Sequence, residues 1–124
     1  MTKSMKETKL WNKLVRDRIP EYLKKEGIDS EVEVVKDKVR FLRLLIDKLE
    51  EEAQEAGGSF RDADLLEELA DVESVIDGIL KTKGWTRAEL KKQQDKKDDE
   101  RGGFEKGIFL IQTIEKIKEE KEDE

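Results

Sequence analysis

Cysteine and histidine are both absent from this sequence. Their absence excludes disulfide bonds, thiolate nucleophiles, zinc sites of the usual kind and acid–base catalysis by an imidazole. The groups that remain for chemistry are carboxylates, lysine and arginine side chains, a single tyrosine and bound water. Any catalytic or metal-binding site in this chain must therefore be built mainly from acidic and basic groups.

Long apolar runs are also missing. No stretch approaches the roughly 20 apolar residues that a membrane-spanning helix needs. The N-terminal sequence, MTKSMKETK, lacks the apolar core of a signal peptide. The formal net charge of −6 gives no reason to expect binding to nucleic acid. We therefore expect a cytoplasmic protein with neither a membrane nor a nucleic acid as partner.

The apolar residues that are present recur with the period of an α-helix. Between residues 38 and 56 they lie three or four positions apart, and the same spacing continues from Leu65 to about Lys81. We predict an all-α fold, an antiparallel helical bundle with a charged exterior. One domain is expected over residues 10–115, between a mobile N-terminus at residues 1–9 and a charged tail at residues 116–124.

Capping residues and glycines indicate where the helices begin and end. Pro20 favours the start of a short helix that ends near Gly27, and Asp37 is a good N-cap for the helix that follows. Short extended segments near residues 31–35 and 107–112 are compatible with the sequence. The other signals are a stop at Gly57 and Gly58, a cap at Asp62 or Asp64, a stop at Gly84, and a Thr86–Glu89 capping box before a polar helix from Arg87 to about Glu100.

Two pairs of acids stand at helical spacing on either side of the Gly57–Gly58 break. They are Glu52 with Glu55, and Glu68 with Asp71. Residues three apart share a helix face, so the four carboxylates can converge if the two helices fold back on each other. In a chain with 32 acids such pairs also arise by chance. A site with only oxygen ligands selects Mg²⁺, Mn²⁺ or Ca²⁺.

The apolar pattern separates these acids from their neighbours. Glu68 falls within the apolar arc of its helix, where an ionised carboxylate is costly unless a cation or a donor meets it. Glu51 and Glu67 are predicted to be dispensable surface residues. Glu73 also falls in the apolar arc and has three interpretations: a further metal ligand, a contact to a nucleotide base, or half of a salt bridge.

Three motifs together resemble a known superfamily. The acid pairs form ExxE, twelve intervening residues and ExxD, while NKLVRDRIPEYL precedes them and ERGGFEKGIFL follows. The chain is similar in these motifs, over roughly residues 11–111, to the all-α NTP pyrophosphohydrolases. That superfamily includes MazG, the dimeric dUTPases and phosphoribosyl-ATP pyrophosphohydrolase, and the flanking motifs resemble a MazG-like house-cleaning subgroup.

The resemblance implies a helical bundle, a homodimer or a dimer of dimers, that hydrolyses a nucleoside triphosphate to a monophosphate and pyrophosphate. Mg²⁺, or Mn²⁺ in its place, would be the cofactor. The residues expected both to hold the metal and to take part in catalysis are Glu52, Glu55, Glu68 and Asp71. Metal-assisted attack by water on a phosphoanhydride requires no histidine base, so the composition is compatible with this chemistry.

The two flanking motifs supply candidate phosphate-binding residues. Lys13 and Arg16 are expected on phosphate, and Asp17 is expected to position an arginine. The glycines of the second motif permit close approach of the backbone to a phosphate. Phe104 fits either stacking on a base or packing in a core, and for each basic residue the alternative is a solvated or ion-paired surface. The full candidate set for substrate binding is Asn12, Lys13, Arg16, Asp17, Arg18, Arg101, Gly102, Gly103, Phe104 and Lys106.

Two other functions stay open at this stage. A phosphoribosyl-ATP pyrophosphohydrolase shares the chemistry and differs in the nucleoside pocket. A non-catalytic helical module, whose acidic helix pair binds a metal or a partner helix, would bind a cation without releasing pyrophosphate.

Overall fold

A computed structural model describes residues 5–117 of the chain. Over that range the protein is all-helical, which confirms the predicted all-α class. Neither residues 31–35 nor residues 107–112 form a strand. The helices are α1 (Ile19–Lys25), α2 (Lys38–Gly57), α3 (Asp62–Lys83) and α4 (Arg87–Arg101).

The chain divides into two compact units, Met1–Leu90 and Lys91–Glu124. The first unit holds α1, α2, α3 and the first turn of α4. The second holds the rest of α4 and the segment that follows it. The predicted mobile N-terminus and charged tail extend into residues 1–4 and 118–124, which lie outside the described residues. The predicted single domain over residues 10–115 stays a prediction.

Local hydrogen bonds explain where α2 begins and α3 ends. The Asp37 carboxylate accepts from the backbone N–H groups of Val39 and Arg40 at 2.9 and 3.2 Å, which confirms it as the N-cap of α2. Gly84 closes α3 in the left-handed conformation, with φ of 74°, where a residue with a Cβ would be strained. Thr86 accepts from the Glu89 N–H at 3.1 Å, as expected for its half of a capping box.

The start of α3 differs from the prediction. The helix begins at Asp62, three residues before the predicted Leu65, and the N-cap position is Arg61, whose side chain makes no capping hydrogen bond. Asp62 and Asp64 therefore lie inside the first turn instead of capping it. Their negative charges still favour the helix there, because the first turn carries the positive end of the helix dipole. Arg61 pairs with Asp64 across this turn at 2.8 Å.

The small core of the first unit lies between α2 and α3. Leu45, Val75 and Leu80 are its buried apolar residues. Gly78 lets the helices approach closely, since a Cβ added there would stand 3.0 Å from the Leu45 side chain. Leu45 on α2 thus lies opposite Gly78 on α3, whereas Glu52, further along α2, lies opposite Glu68, nearer the start of α3. Along α2, Leu45 comes before Glu52, whereas along α3 the residue opposite Leu45 comes after the residue opposite Glu52.

The remaining elements bury little. No residue of α1 or α4 is buried. In the second unit the apolar segment after α4 is exposed, with Ile108, Phe109, Leu110 and Ile111 each 72–86% accessible. Within the described part of the chain, no helix is both long enough and apolar enough to cross a membrane.

Candidate metal centre

The contact between α2 and α3 brings three of the predicted ligands together. Carboxylate oxygens of Glu52, Glu55 and Glu68 all lie within 4.8 Å of one another. Glu52 and Glu55 are one turn apart on α2 and therefore share the face that looks toward α3. We call these three residues the carboxylate cluster.

Two oxygens of the carboxylate cluster are buried without a partner. Glu52 is only 6% exposed, and its Oε1 lies 3.3 Å from Nζ of Lys48. The second oxygen of Glu52, Oε2, and Oε2 of Glu68 are both closed off from solvent and accept no hydrogen bond from the described residues. A buried carboxylate oxygen that nothing meets is costly. These two atoms are the strongest sign that the cluster needs a ligand.

Glu68 is a weaker acid than an ordinary glutamic acid, because of its surroundings. Desolvation, together with the nearby carboxylates of Glu55 and Glu52, raises the pKa of Glu68 from the ordinary 4.5 to about 7. A proton on Glu68 relieves the repulsion, because the protonated group can donate to a neighbouring carboxylate. A divalent cation would relieve the same repulsion without that proton. The donor set contains only carboxylate oxygens, which fits a hard cation such as Mg²⁺ or Mn²⁺.

Asp71, the fourth predicted ligand, has a different partner. It stands one turn beyond Glu68 on α3, but it is not part of the carboxylate cluster. Its Oδ1 instead accepts from Nη2 of Arg16 at 2.5 Å, and the same nitrogen donates to the Ser74 hydroxyl at 3.2 Å. The structure therefore brings three of the four predicted carboxylates together and links the fourth to the N-terminal segment.

The basic segment from Lys13 to Arg16 contacts both α2 and α3. Lys13 Nζ binds Glu51 on α2 at 3.2 Å, while Arg16 binds Asp71 on α3. Glu51 also accepts from Lys48 at 3.3 Å. Partial burial raises the pKa of Glu51, but the hydrogen bonds from these two lysines bring it below its ordinary value. Glu51, predicted to be a dispensable surface residue, is in fact half-buried between two lysines.

Sequence reasoning missed Lys48 and Ser74. Lys48 bridges Glu51 and Glu52 from three and four residues before them, and its side chain is only 16% exposed. The signal was present as a lysine four residues before an acid on the same helix. Ser74 follows Asp71 at a spacing of three and so reaches the same arginine.

The other candidates of the N-terminal motif stay near the surface. Asn12 adopts a left-handed backbone conformation with φ of 44°. Asp17 makes no ion pair among the described residues, and Arg16 binds Asp71. The role of Asp17 in positioning an arginine stays a prediction. A hollow of about 310 Å³ on this surface is lined by Arg16, Asp17, Arg18, Ile19 and Tyr22.

The candidates of the second motif lie in the second unit. Arg101 is the last residue of α4, and Gly102 follows with φ of 83°, a conformation that favours glycine. Phe104 is 99% exposed, so it packs in no core of its own unit. Gly103 and Lys106 are exposed as well.

Glu73 is half of a salt bridge, one of its three interpretations. Its carboxylate lies 2.6 Å from Nη1 of Arg87, whose Nε also binds Asp77 at 2.8 Å. These contacts join the start of α4 to the second half of α3. Glu73 is therefore occupied by an arginine and is not one of the clustered acids.

Comparison with known proteins adds no assignment to this geometry. No protein-family profile matches the sequence, and neither a curated protein nor a solved structure matches the chain significantly.

Proposed function

We propose that this protein is a Mg²⁺-dependent nucleotide pyrophosphohydrolase of the MazG-like all-α superfamily. It cleaves the α–β phosphoanhydride of a nucleoside triphosphate, giving the monophosphate and pyrophosphate. The observation that carries the proposal is the pair of buried, partnerless oxygens, Glu52 Oε2 and Glu68 Oε2, in a cluster made only of carboxylates. The order and spacing of the three sequence motifs support the same assignment.

The cluster has the charge and chemistry that a hard cation requires. Glu52, Glu55 and Glu68 would hold the ion, and Asp71 is the next acid after Glu68 on the same face of α3. Bound there, Mg²⁺ would supply charge neutralisation at the phosphate oxygens and a water of lowered pKa. Glu68 must give up its proton for the ion to bind, since its pKa is raised to about 7 by burial and by Glu55 and Glu52.

Positive charge for the phosphates is available beside the cluster. Lys13 and Arg16 contact Glu51 and Asp71, and each of these acids neighbours a cluster residue on its own helix. Lysine and arginine bind phosphate oxygens through charge-assisted hydrogen bonds. The parts of Arg101, Phe104 and Lys106 in substrate binding stay predictions.

The finer points of the fold are also part of the proposal. We expect the helices to form an antiparallel bundle that works in the cytoplasm as a homodimer or a dimer of dimers. A second copy would cover apolar side chains that α3 leaves accessible, namely Leu65, Leu66 and Leu69, which are 40–71% exposed.

The test is pyrophosphate release by the full chain over a panel of canonical and modified nucleoside triphosphates, with phosphoribosyl-ATP included. Each substrate is measured with Mg²⁺, with Mn²⁺ and with a chelator. Release that needs the metal supports the proposal, and preference for phosphoribosyl-ATP would identify the related activity. Metal binding without pyrophosphate release from any member of the panel would identify a non-catalytic helical module.

A further inference from the structure

Asp71 has two candidate partners, Arg16 and a cation bound at the carboxylate cluster. It lies one turn after Glu68 and therefore on the same face of α3, yet its Oδ1 is bound to Arg16 at 2.5 Å. While this contact lasts, three carboxylates face the candidate cation site and the fourth faces an arginine. The same guanidinium also holds Ser74, so Arg16 spans a full turn of α3.

Arg16 belongs to a segment that is attached on both sides of the cluster. Three residues earlier, Lys13 binds Glu51, which immediately precedes Glu52 on α2. The segment from Lys13 to Arg16 therefore contacts α2 through Lys13 and α3 through Arg16. Both basic groups that a phosphate would need are at present neutralised by acids beside the site.

The Arg16–Asp71 pair is open enough to exchange partners. The side chain of Arg16 is 60% exposed and that of Asp71 is 34% exposed, and ion pairs in such surroundings contribute little to stability. A polyphosphate presents several charged oxygens in place of one carboxylate, so it competes well for a guanidinium. The Asp71 carboxylate is then left without its cation.

We propose that Arg16 is a positioning residue that keeps Asp71 out of the cation site until a phosphate group takes Arg16. Asp71 then turns to the cluster and completes a set of four carboxylates. This inference rests on the proposed function, because it assigns Arg16 to the phosphates of that substrate. Cation binding and phosphate binding then strengthen each other, because the cation binds Asp71 and the phosphate binds Arg16, the two members of one ion pair.

The test is a double-mutant cycle of Mn²⁺ affinity, measured by calorimetry on the full chain without nucleotide. Arg16→Met frees Asp71, so Mn²⁺ should bind about fivefold more tightly than to the wild type. Asp71→Asn alone should change the affinity less than about twofold, and in the double variant the gain from Arg16→Met should disappear. Arg16→Lys keeps the charge and the partner and should restore an affinity near that of the wild type.

Simple electrostatics makes a different prediction for the same cycle. Loss of a positive charge near a cation site tightens binding whether or not Asp71 is present. A gain from Arg16→Met that survives in the Asp71→Asn background would therefore overturn the inference. Arg61→Met is the matched control, because it breaks another Arg–Asp pair at the start of α3, Arg61 with Asp64, and should leave Mn²⁺ affinity unchanged.

A second measurement tests the Arg16–Asp71 pair through phosphate binding. Inorganic triphosphate is titrated into the protein in metal-free buffer, where Asp71→Asn should tighten binding because Arg16 is released. The tightening should be absent when Arg16→Met is also present. Equal Mn²⁺ and triphosphate affinities in all variants would refute the positioning role, whereas the proposed function is judged separately by pyrophosphate release. No Mn²⁺ binding by any variant would also overturn the positioning role, and pyrophosphate release would still decide the proposed function.

Discussion

The contact between α2 and α3 has an apolar end and an acidic end. At one end Leu45 packs into the space left by Gly78, beside Val75 and Leu80. Toward the other end Glu52 is equally well buried, at 6% exposed, but it faces further acids. The same pair of helices thus buries apolar side chains at one place and brings three carboxylates together, of which only Glu52 is buried, at the other.

This difference separates the source of stability from the site of chemistry. Burial of a leucine side chain contributes about 1.5–3 kcal/mol, so the Leu45 end favours folding. Burial of carboxylate oxygens that meet no donor among the described residues, as at Glu52 Oε2 and Glu68 Oε2, opposes it. Lys48 offsets part of this cost at Glu52 Oε1, and a proton or a cation would offset more.

The acid end should carry the activity. Glu68→Gln keeps the size of the side chain but removes a charge that would hold the proposed cation, so turnover should fall at least about 100-fold. Circular dichroism should show unchanged helix content. Glu67→Gln, an exposed neighbour on the same helix, is the matched control and should retain its rate. Full activity in both Glu68→Gln and Asp71→Asn would contradict the proposed function.

The apolar end should carry the stability. Leu45→Ala leaves a cavity against Gly78 and removes buried apolar surface, which should lower the free energy of unfolding by about 2–4 kcal/mol. Denaturant titration measures the loss. The control is Val39→Ala on the same helix, because Val39 is 81% exposed and its truncation should change stability by less than about 0.5 kcal/mol. Equal losses in the two variants would remove the distinction between the ends.

Metal-free stability should depend on pH through Glu68. Its pKa is about 7 in the folded chain, raised from 4.5 by desolvation and by Glu55 and Glu52. Between these values the folded state binds a proton that the unfolded state has lost. The contribution of Glu68 to stability is therefore fully present below about pH 4.5 and is lost as the pH rises toward 7.

Thermal melts of wild type and Glu68→Gln across this range, with a chelator present, isolate the contribution of Glu68. The difference in melting temperature between the two proteins should change in favour of the variant as the pH rises from about 4.5 to 7. Mg²⁺ should stabilise the wild type most above pH 7, where no proton competes for Glu68. A difference that is independent of pH would show that the pKa of Glu68 is not raised in the folded chain.

A smaller effect is expected from the glycine at the apolar end. Gly78→Ala gains helix propensity of up to about 1 kcal/mol, but its Cβ would stand 3.0 Å from the buried Leu45 side chain. Overpacking of this kind costs about 1–3 kcal/mol, so we expect a net loss near 1 kcal/mol. Gly57→Ala is the control, since nothing lies within 4 Å of its added Cβ, and it should not destabilise α2.

Local signals in the sequence were sufficient for most helix ends. Asp37 and Gly84 act within one turn of their own positions, so the bounds of α2 and the end of α3 were predicted closely. The start of α3 was placed three residues late. Arg61 and Asp62 carry no apolar periodicity, and the pairing of Arg61 with Asp64 extends the helix over a stretch that the pattern assigned to the loop.

Only part of the candidate site can be predicted from the sequence. Glu52, Glu55 and Glu68 were recognisable because spacing on consecutive helices determines which faces meet. The partner of Asp71 was not, since Arg16 is 55 residues away in sequence and only the folded chain shows the contact. Lys48 was visible as a neighbour of Glu52, but a chain with 26 basic and 32 acidic residues offers many equivalent pairs.

The polar helix α4 has a consequence for how the chain is opened by proteases. None of its residues is buried, so its hydrogen bonds are protected by little more than the helix itself. Helices of about this length are marginally stable alone in water, and α4 should open locally at little free-energy cost. Its lysines, Lys91, Lys92, Lys96 and Lys97, should be cleaved by trypsin before the lysines of α2 and α3. Limited digestion should then release a fragment that retains α2, α3 and the carboxylate cluster.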